Sequence, residues 1–386
     1  MGILPEHIWS TIPDGSWTTS KYETEPIGSG PFQVVGVSRS SIGAPQKITL
    51  TAFKDFTLGK PLIKHFVMNC FDNENDALHA FSAHHIDGIA ALSSSDLVSL
   101  TSNHTTTIAT PLPRVFGIFL NPSQNKILAD QNVIKALNLA IDKTSLITTV
   151  FNGYAQAING PLPSSIDTPA DFSTKQALAE KILDADGWKL NPTTGLREKT
   201  IASGKTKTTT QLSFSLSTGN TPELEQAAQL IANQYQAIGV HVDVKIFETG
   251  TLNGQVIRTR DFQGLLFGEL LTHDTDVYAF WHSSQKADPG LNITGYTDKV
   301  VDGILDQAIV QTDPAKRDDL YQTLTADLAK DAPVVFLYTP DFLYLTDNHV
   351  HHVTIPPMSV TSDRFSLVYQ WYLQTDRVWN VFTQTH

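Results

Sequence analysis

Cysteine is nearly absent from this 386-residue chain, which contains Cys70 alone. A single thiol cannot form an intramolecular disulfide, and the paired Cys and His spacings of structural zinc sites are missing too. Within KHFVMNCF the thiol is expected to pack as a small hydrophobe rather than to act as a nucleophile. Burial of apolar surface must therefore supply the stability that disulfides or zinc provide elsewhere.

Basic residues and long apolar runs are also scarce. The chain has 27 Lys and Arg against 39 Asp and Glu, and the formal net charge of -12 is spread without a basic run. Nucleic acid is not expected as a partner, because binding a phosphate backbone requires clustered cations. Apolar runs such as APVVFLY at Ala332–Tyr338 are far shorter than the roughly 20 residues that cross a bilayer. Any membrane association is expected to be peripheral.

The signatures of common enzymes and metal sites are missing. The chain has no HExxH, GxSxG or DxDxDG motif. Catalysis therefore has no obvious residues, and no cofactor is expected. His349, His351 and His352 could in principle bind a transition metal, but the nearest carboxylate in the sequence is Asp347. A solvated strand end is the preferred interpretation of this cluster.

Helical and strand patterns alternate along the chain, which predicts an α/β fold. Residues 64–91 indicate strand, helix and strand, a βαβ-like unit. Apolar residues at helical spacing predict one helix over about residues 130–150. Thr221-Pro222 and Asp313-Pro314 are typical helix starts, and a strand follows each of the two helices.

Two further segments carry local signals. Ser173 and Gln176 have the spacing of a capping box, and Gly187 stands where a helix ends in a left-handed residue. Residues 191–211 are rich in Thr, Lys and Gly and predict an exposed hairpin or loop.

The stretch GELLTHDTDVYAFWHSS at Gly268–Ser284 allows two interpretations that can hold together. In one, Asp276 caps a helix and Tyr278, Phe280 and Trp281 pack in the core. In the other, the stretch is a cleft loop after a strand, where open α/β sheets collect ligands.

Several motifs occur in a fixed order. ILPEHIW at Ile3–Trp9 precedes PIGSGPF at Pro26–Phe32, and NVIKALNLAIDKTSLITTVFNGYAQAINGPLP at Asn132–Pro163 precedes TDPAKRDDLYQTLTADLAKDAPVVFLY at Thr312–Tyr338. Together they resemble family 5 of the extracytoplasmic solute-binding proteins, which serve peptide and nickel ABC importers. The third motif is similar to the signature VRQALNYAIDRExLIxxVxxGxAxPxxxxxP and is the strongest match. The resemblance covers essentially the whole chain.

The resemblance implies a periplasmic-binding-protein-like (type II) fold with two lobes. Residues 1–110 are then a partial first lobe, 111–345 the second, ligand-binding lobe, and 346–386 the return of the chain to the first lobe. Because family members carry a substantial segment before the first motif, the N-terminal part of the first lobe and a small extra domain are expected to be missing.

In function, the resemblance implies the substrate-binding component of an ABC importer, with no enzymatic activity. Such a protein binds an oligopeptide-like solute in the cleft between its lobes and delivers it to the membrane permease. It works outside the cytoplasm, in the periplasm or as a cell-surface lipoprotein.

The resemblance also suggests ligand-binding residues. Peptide binders of the family have an aspartate in a GWxADYxDP stretch that pairs with the amino terminus of the peptide. Aligning Gly268 and Asp276 puts Glu269 at the tryptophan and Thr272 at that aspartate, so either Asp274 or Asp276 substitutes or the ligand has no free amine. Arg258 and Arg260 lie where arginines of some members meet a ligand carboxylate. The predicted ligand-binding residues are Glu269, Thr272, His273, Asp274, Asp276, Tyr278, Trp281, Arg258 and Arg260.

Three alternatives stay open at this point. A receptor for nickel or another metal chelate would use the His349–His352 cluster. A hydrolase would need an activated nucleophile beside a base. An interaction fragment would bind no small molecule at all.

Overall fold

A computed structural model describes residues 5–90, 92–167, 171–203, 206–271 and 277–373. Contacts within the chain divide it into unit 1, made of Met1–Thr110 and Phe342–His386, and unit 2, made of Pro111–Asp341. The identification of these units with a first lobe and a ligand-binding lobe stays a prediction. Every helix among the residues given above is too short or too polar to cross a bilayer.

The strands are β1 (Phe32–Arg39), β2 (Pro45–Ala52), β3 (His65–Asn69), β4 (Gly88–Ala90), β5 (Thr105–Pro111), β6 (Arg114–Leu120), β7 (Ala155–Ala157), β8 (Lys189–Leu190), β9 (Arg197–Ser203), β10 (Thr206–Gln211), β11 (Ser213–Gly219), β12 (His241–Phe247), β13 (Gly264–Leu270), β14 (Val334–Asp347), β15 (Val350–His351) and β16 (Tyr372–Leu373). The helices are α1 (Glu6–Trp9), α2 (Glu74–Ser82), α3 (Ser94–Leu100), α4 (Gln131–Leu139), α5 (Lys143–Phe151), α6 (Phe172–Ala185), α7 (Pro222–Ala237), α8 (Thr249–Thr251), α9 (Tyr278–Trp281), α10 (Lys299–Val310) and α11 (Pro314–Asp331). A π-helical turn over Leu252–Ile257 continues α8.

Unit 2 is built on a mixed sheet in the order β12-β11-β13-β6-β14, and β7 pairs with a later part of β14. Strand β11 runs parallel to β12 and β13, whereas β13, β6 and β14 are antiparallel neighbours. The register between β13 and β6 places Leu265 opposite Phe119 and Glu269 opposite Val115. Strand β13 is therefore an interior strand with a neighbour on each side.

Two apolar clusters cover the two faces of this sheet. The first cluster joins Ile118, Leu266 and Val335 to helices α4 to α7. The second cluster joins Phe119 and Leu265 to helices α10 and α11. Because successive strand residues point to opposite faces, the sheet lies between two helical layers. The predicted α/β class is confirmed.

In unit 1, the strand, helix and strand expected over residues 64–91 are present as β3, α2 and β4, but they do not form a βαβ unit. Strand β3 pairs with β2 in the antiparallel sheet β1-β2-β3, whereas β4 pairs with β14. In β3, Phe66 and Met68 are half-buried, whereas the alternate positions His65, Val67 and Asn69 are exposed. That alternation suits an antiparallel sheet with one wet face, not a parallel strand covered on both faces.

Two helix predictions were wrong in detail. The single helix over about 130–150 is α4 and α5, because the Asp142 side chain accepts a hydrogen bond from the Ser145 amide (3.0 Å) and starts a new helix. The capping box at Ser173 is replaced by Asp171, which accepts a hydrogen bond from the Ser173 amide (3.3 Å) and caps α6. Gly187, after that helix, has φ +89°, as predicted.

Other local predictions hold. Helices α7 and α11 begin at Pro222 and Pro314, and strands β12 and β14 follow them. Residues 191–211 contain the antiparallel hairpin of β9 and β10. The expectation for Cys70 is wrong, because its side chain is exposed. It directly follows β3, an edge strand of a sheet that leaves many side chains open to solvent.

We expect Tyr235→Phe to raise the free energy of unfolding by about 1 kcal/mol, because an unsatisfied buried hydroxyl is removed. Tyr235 is fully buried against Phe214, and its Oη has no hydrogen-bond partner among the residues described. Burial raises the pKa of Tyr235 above its ordinary value.

Urea denaturation measures this change. Tyr296→Phe is the control, because the Tyr296 hydroxyl donates to Asp331 Oδ2 (2.8 Å) and its removal should lower the free energy of unfolding. A loss of stability in Tyr235→Phe would mean that its hydroxyl is bonded after all.

Candidate functional site

The C-terminal end of β13 carries the first of the predicted ligand-binding residues. Gly268 lies there under the Phe116 ring: a Cβ atom at this glycine would stand 2.6 Å from Phe116 Cζ. The Phe116 ring stacks on Tyr338 with 5.0 Å between centroids. A side chain at Gly268 would displace this stack, so glycine is required, and the following residue points to the other face of the sheet.

That following residue is Glu269, whose side chain is 3% exposed. Its Oε2 atom has no hydrogen-bond partner in the described part of the chain. Burial raises the pKa of Glu269 well above its ordinary value, since an ionised carboxylate would lose its hydration without compensation. Such unpaired buried groups lower stability and are common at functional sites.

Glu269 is buried but lies next to the end of the sheet. Leu270, the last residue of β13, is 53% exposed. Its partner across the ladder is Arg114, which is exposed, while the neighbouring Val115 opposite Glu269 is fully buried. Glu269 is therefore adjacent along the strand to positions that are open to solvent, although their side chains point to the opposite face of the sheet.

Tyr278 and Trp281 lie on the short helix α9. Trp281 is 1% exposed, and its ring contacts Phe336 and Tyr296 at centroid distances of 5.8 and 6.4 Å. Tyr278 is half-buried, and its ring stacks on His282 at 4.3 Å. The core position predicted for Trp281 is confirmed, while a ligand contact by either aromatic residue stays a prediction.

Arg258 is held by an internal carboxylate. Its Nε donates to Asp288 Oδ1 (3.2 Å) and its Nη2 to Asp288 Oδ2 (3.1 Å). The hydrogen bonds from Arg258 lower the pKa of Asp288, and the same bonds raise the pKa of Arg258. The planar fork that would bind a ligand carboxylate is thus occupied by Asp288. Asp288 carries no sequence signal, because it is 30 residues away from Arg258.

Arg260 ties two segments of unit 2 together. Its Nη1 donates to the Ile257 carbonyl (2.6 Å) and its Nη2 to the Gly290 carbonyl (2.6 Å). Its own carbonyl accepts a hydrogen bond from Asn121 Nδ2 (2.9 Å), and its φ is +59°. Burial lowers the pKa of Arg260. In this state both arginines are engaged within the protein, and neither pairs with Glu269.

Four of the predicted residues lie outside the described residues: Thr272, His273, Asp274 and Asp276. Their roles, including the possible substitution of the family's aspartate by Asp274 or Asp276 and the helix cap by Asp276, stay predictions.

In unit 1, His349 makes two contacts with carboxylates. Its Nδ1 lies 2.6 Å from Asp347 Oδ1, and its Nε2 lies 3.2 Å from Asp87 Oδ1. The His351 ring instead stacks on the Tyr372 ring, with 5.1 Å between the ring centroids. Across the residues that the structure describes, no group of three or more His, Cys, Asp or Glu side chains could hold a metal ion. Asp87 could not be found from the sequence, because it is distant from His349 in the chain.

A comparison with family models gives a match to bacterial extracellular solute-binding proteins, family 5 Middle, over residues 1–292. The chain belongs to this family. The matched range contains β13, both arginines and Asp288. The predicted resemblance to family 5 is confirmed.

Two similar proteins are named for different solutes. The oligopeptide-binding protein AppA of Bacillus subtilis is 27% identical over 349 residues, which cover 88% of this chain and 61% of AppA. The nickel-binding protein NikA of Staphylococcus aureus is 21% identical over 342 residues, covering 87% of this chain and 64% of NikA. The chain thus spans less than two thirds of the length of either relative.

The fold matches a solved family 5 structure. The structure of Bacillus subtilis AppA, in complex with a nonapeptide, superposes with a TM-score of 0.64 at 25% identity, covering 97% of this chain and 72% of that one. The type II periplasmic-binding-protein fold is therefore confirmed. Family 5 is a family of solute-binding proteins, not of enzymes.

Proposed function

We propose that this family 5 protein binds an oligopeptide-like solute and delivers it to the permease subunits of an ABC importer. Membership of family 5 and the similarity to AppA support the class of function. The protein would act as a receptor without catalysis, outside the cytoplasm, either free in the periplasm or as a cell-surface lipoprotein. It would associate with the membrane only peripherally.

The observation that carries the choice of solute is the buried carboxyl group of Glu269. The described residues supply it with no donor and no opposite charge. A peptide with a free amino terminus brings a cation that fits this gap, because a charge-assisted hydrogen bond compensates the lost hydration. In this proposal Glu269 takes the role of amine partner that Thr272 cannot perform.

The carboxyl end of the solute would meet Arg258. The exposed Arg258–Asp288 pair has the bidentate geometry that a terminal carboxylate also offers. A solute carboxylate can exchange with Asp288 at modest cost, because exposed ion pairs contribute little to stability. Tyr278 would supply a half-buried aromatic contact that tolerates many side chains.

Native mass spectrometry of the freshly purified chain tests the proposal. Co-purifying short peptides, or binding from a nonapeptide library, would support it. A co-purifying nickel chelate would replace the peptide by a metal complex as the solute and direct attention to a NikA-like function. A chain that carries no co-purified solute and binds neither the nonapeptide library nor a nickel chelate would contradict solute binding.

We expect Arg258→Ala to weaken binding of nonapeptides with a free terminal carboxylate by about tenfold, which is the loss of roughly one charge-assisted hydrogen bond. Binding of C-terminally amidated nonapeptides should change little. Isothermal titration of both libraries measures the difference. Arg317→Ala on α11 is the control and should leave both affinities unchanged. An equal loss for the two libraries would contradict a role of Arg258 in carboxylate recognition.

A further inference from the structure

We infer that Glu269 is protonated in the empty protein and ionises when a cationic group of the solute binds, so that solute binding releases a proton. This inference rests on the proposed function, and it names both the part of the solute that is recognised and a dependence on pH that follows from it.

The neighbours of Glu269 within the described sheet are apolar. Its side chain lies on the face of β13 that also carries Leu265 and Phe267, and both belong to or pack against the second cluster. Val115, opposite in β6, is fully buried. With these three apolar neighbours and 3% exposure, Glu269 Oε2 receives no hydrogen bond from the described residues that could replace its lost hydration.

Several charged and titratable groups on the elements around the second cluster are engaged elsewhere. Arg114, next to Val115 in β6, is exposed, and alternation along the strand directs it to the other face. Arg258 pairs with Asp288, Arg260 with the carbonyls of Ile257 and Gly290, His282 with Asp306 and Asp302, and Tyr296 with Asp331, while the Tyr278 ring stacks on His282. Within the described ranges, Glu269 therefore has no ionic partner.

These conditions decide the protonation state on each side of the binding step. Without a partner, the neutral acid is favoured, because burial penalises only the charged form. An ammonium group within about 4–6 Å favours the carboxylate and reverses that preference. In the balanced step, the carboxylic acid of Glu269 and the ammonium group of the solute give a carboxylate–ammonium ion pair and one free proton. The O–H bond of the acid breaks, its electron pair stays on the carboxylate oxygen, the proton goes to the buffer, and no other reactant is needed.

Two consequences follow. First, affinity for a cationic solute should rise about tenfold per pH unit at values of pH where the empty site holds the proton and the occupied site does not. Second, a solute without a cation should bind without releasing a proton, because the acid stays neutral beside it. Glu269 thus selects for a solute that carries a positive charge.

Isothermal titration of the 386-residue chain at pH 6 tests the inference, since terminal amines stay protonated there. The probe is a nonapeptide library without Lys, Arg or His, so that the amino terminus is its sole cation, and the same library N-acetylated is the comparison. Titrations in buffers with different ionisation enthalpies count the protons. We expect proton release with the free-amine library and none with the acetylated one.

Glu269→Gln should abolish the proton release and weaken binding of the free-amine library about tenfold or more. Glu248→Gln, at an exposed glutamate before α8, is the matched control and should change neither. If Glu269→Gln did not fold, the comparison of the two libraries on the unaltered chain would still decide the question.

The outcomes separate the two claims. Equal affinity and no proton release for both libraries would overturn the inference and leave peptide binding intact. Proton release that persists in Glu269→Gln would overturn it as well. Binding of neither library would contradict the proposed function, and the inference with it.

Discussion

Arg197→Ala is expected to lower the free energy of unfolding by about 3 kcal/mol, because it leaves buried hydrogen-bond acceptors without a donor. The guanidinium group of Arg197 is buried, and the residue is 4% exposed. Its Nε donates to the Ile238 carbonyl (2.8 Å), and its Nη1 donates to the Trp188 carbonyl (2.8 Å) and to Asp184 Oδ1 (2.7 Å). One side chain thus joins the hairpin to the ends of α6 and α7.

The acceptors explain the size of this effect. Asp184 is 53% exposed and can be hydrated when the arginine is lost, so it contributes little. The two carbonyl groups bonded to Arg197 have no equivalent route to water, and each unsatisfied buried acceptor costs about 1–3 kcal/mol. Gly239, at φ +80°, lets the chain approach so closely that a Cβ there would lie 2.9 Å from Arg197 Cγ.

Urea denaturation followed by tryptophan fluorescence measures the loss. Arg197→Lys should be intermediate, because an ammonium group can reach one or two of the acceptors but does not reproduce the fork. Lys207→Ala, at an exposed position of the neighbouring strand β10, is the matched control and should change stability by less than about 0.5 kcal/mol. A loss below about 1 kcal/mol for Arg197→Ala would mean that water reaches the carbonyls.

The elements that could be predicted from the sequence are those specified by neighbouring residues. Pro222 and Pro314 at helix starts and Gly187 after α6 act within one turn of the chain, and the structure has them as expected. The break at Asp142 was missed, because the apolar spacing of α4 continues into α5 across it. The hairpin was predicted from composition, but its anchor Arg197 was not, because all its acceptors lie outside the segment.

The burial and the internal partners of the candidate site residues depend even more on residues that are distant in the sequence. Glu269 became a candidate through a motif alignment, yet its burial is produced by β6, far earlier in the chain, and by helices later in the chain. The occupation of Arg258 by Asp288 follows from the fold of residues 252–292 and has no local pattern. Sequence reasoning could therefore name residues of the site, but not their charge states or internal partners.

Glu269→Gln should make the protein increasingly more stable than the unaltered chain as the pH rises. The pKa of Glu269 is raised by burial in the folded protein, whereas in the unfolded chain it has the ordinary value near 4.5. At any pH between these two values, the folded state holds a proton that the unfolded state has released. The free energy of unfolding of the unaltered chain therefore falls with pH, by about 1.4 kcal/mol per pH unit for this group.

The sign and the pH range are set by that difference. Below the ordinary pKa both states are protonated, and Gln, which is isosteric with the neutral acid, should change stability little. Above it, the stability contributed by the neutral acid is progressively lost and is gone once the pH exceeds the raised pKa. Unfolding free energies from urea titrations at intervals between about pH 4 and 8 measure the divergence, with Glu248→Gln as a control that should run parallel to the unaltered chain. Parallel profiles for Glu269→Gln would mean that the buried carboxyl is ionised and paired in the folded protein.

Solute binding connects this stability profile to the proposed function. A cation beside Glu269 stabilises the carboxylate, so the folded, occupied protein should no longer retain the proton, and its profile should become flatter. Saturation with the free-amine nonapeptide library should therefore bring the pH profile of the unaltered chain towards that of Glu269→Gln, while the acetylated library should leave its slope unchanged. In this account the Glu269 carboxyl group sets the pH dependence of stability in both the empty and the occupied protein. A profile that flattens equally with either library would therefore show that peptide binding acts on stability without involving Glu269.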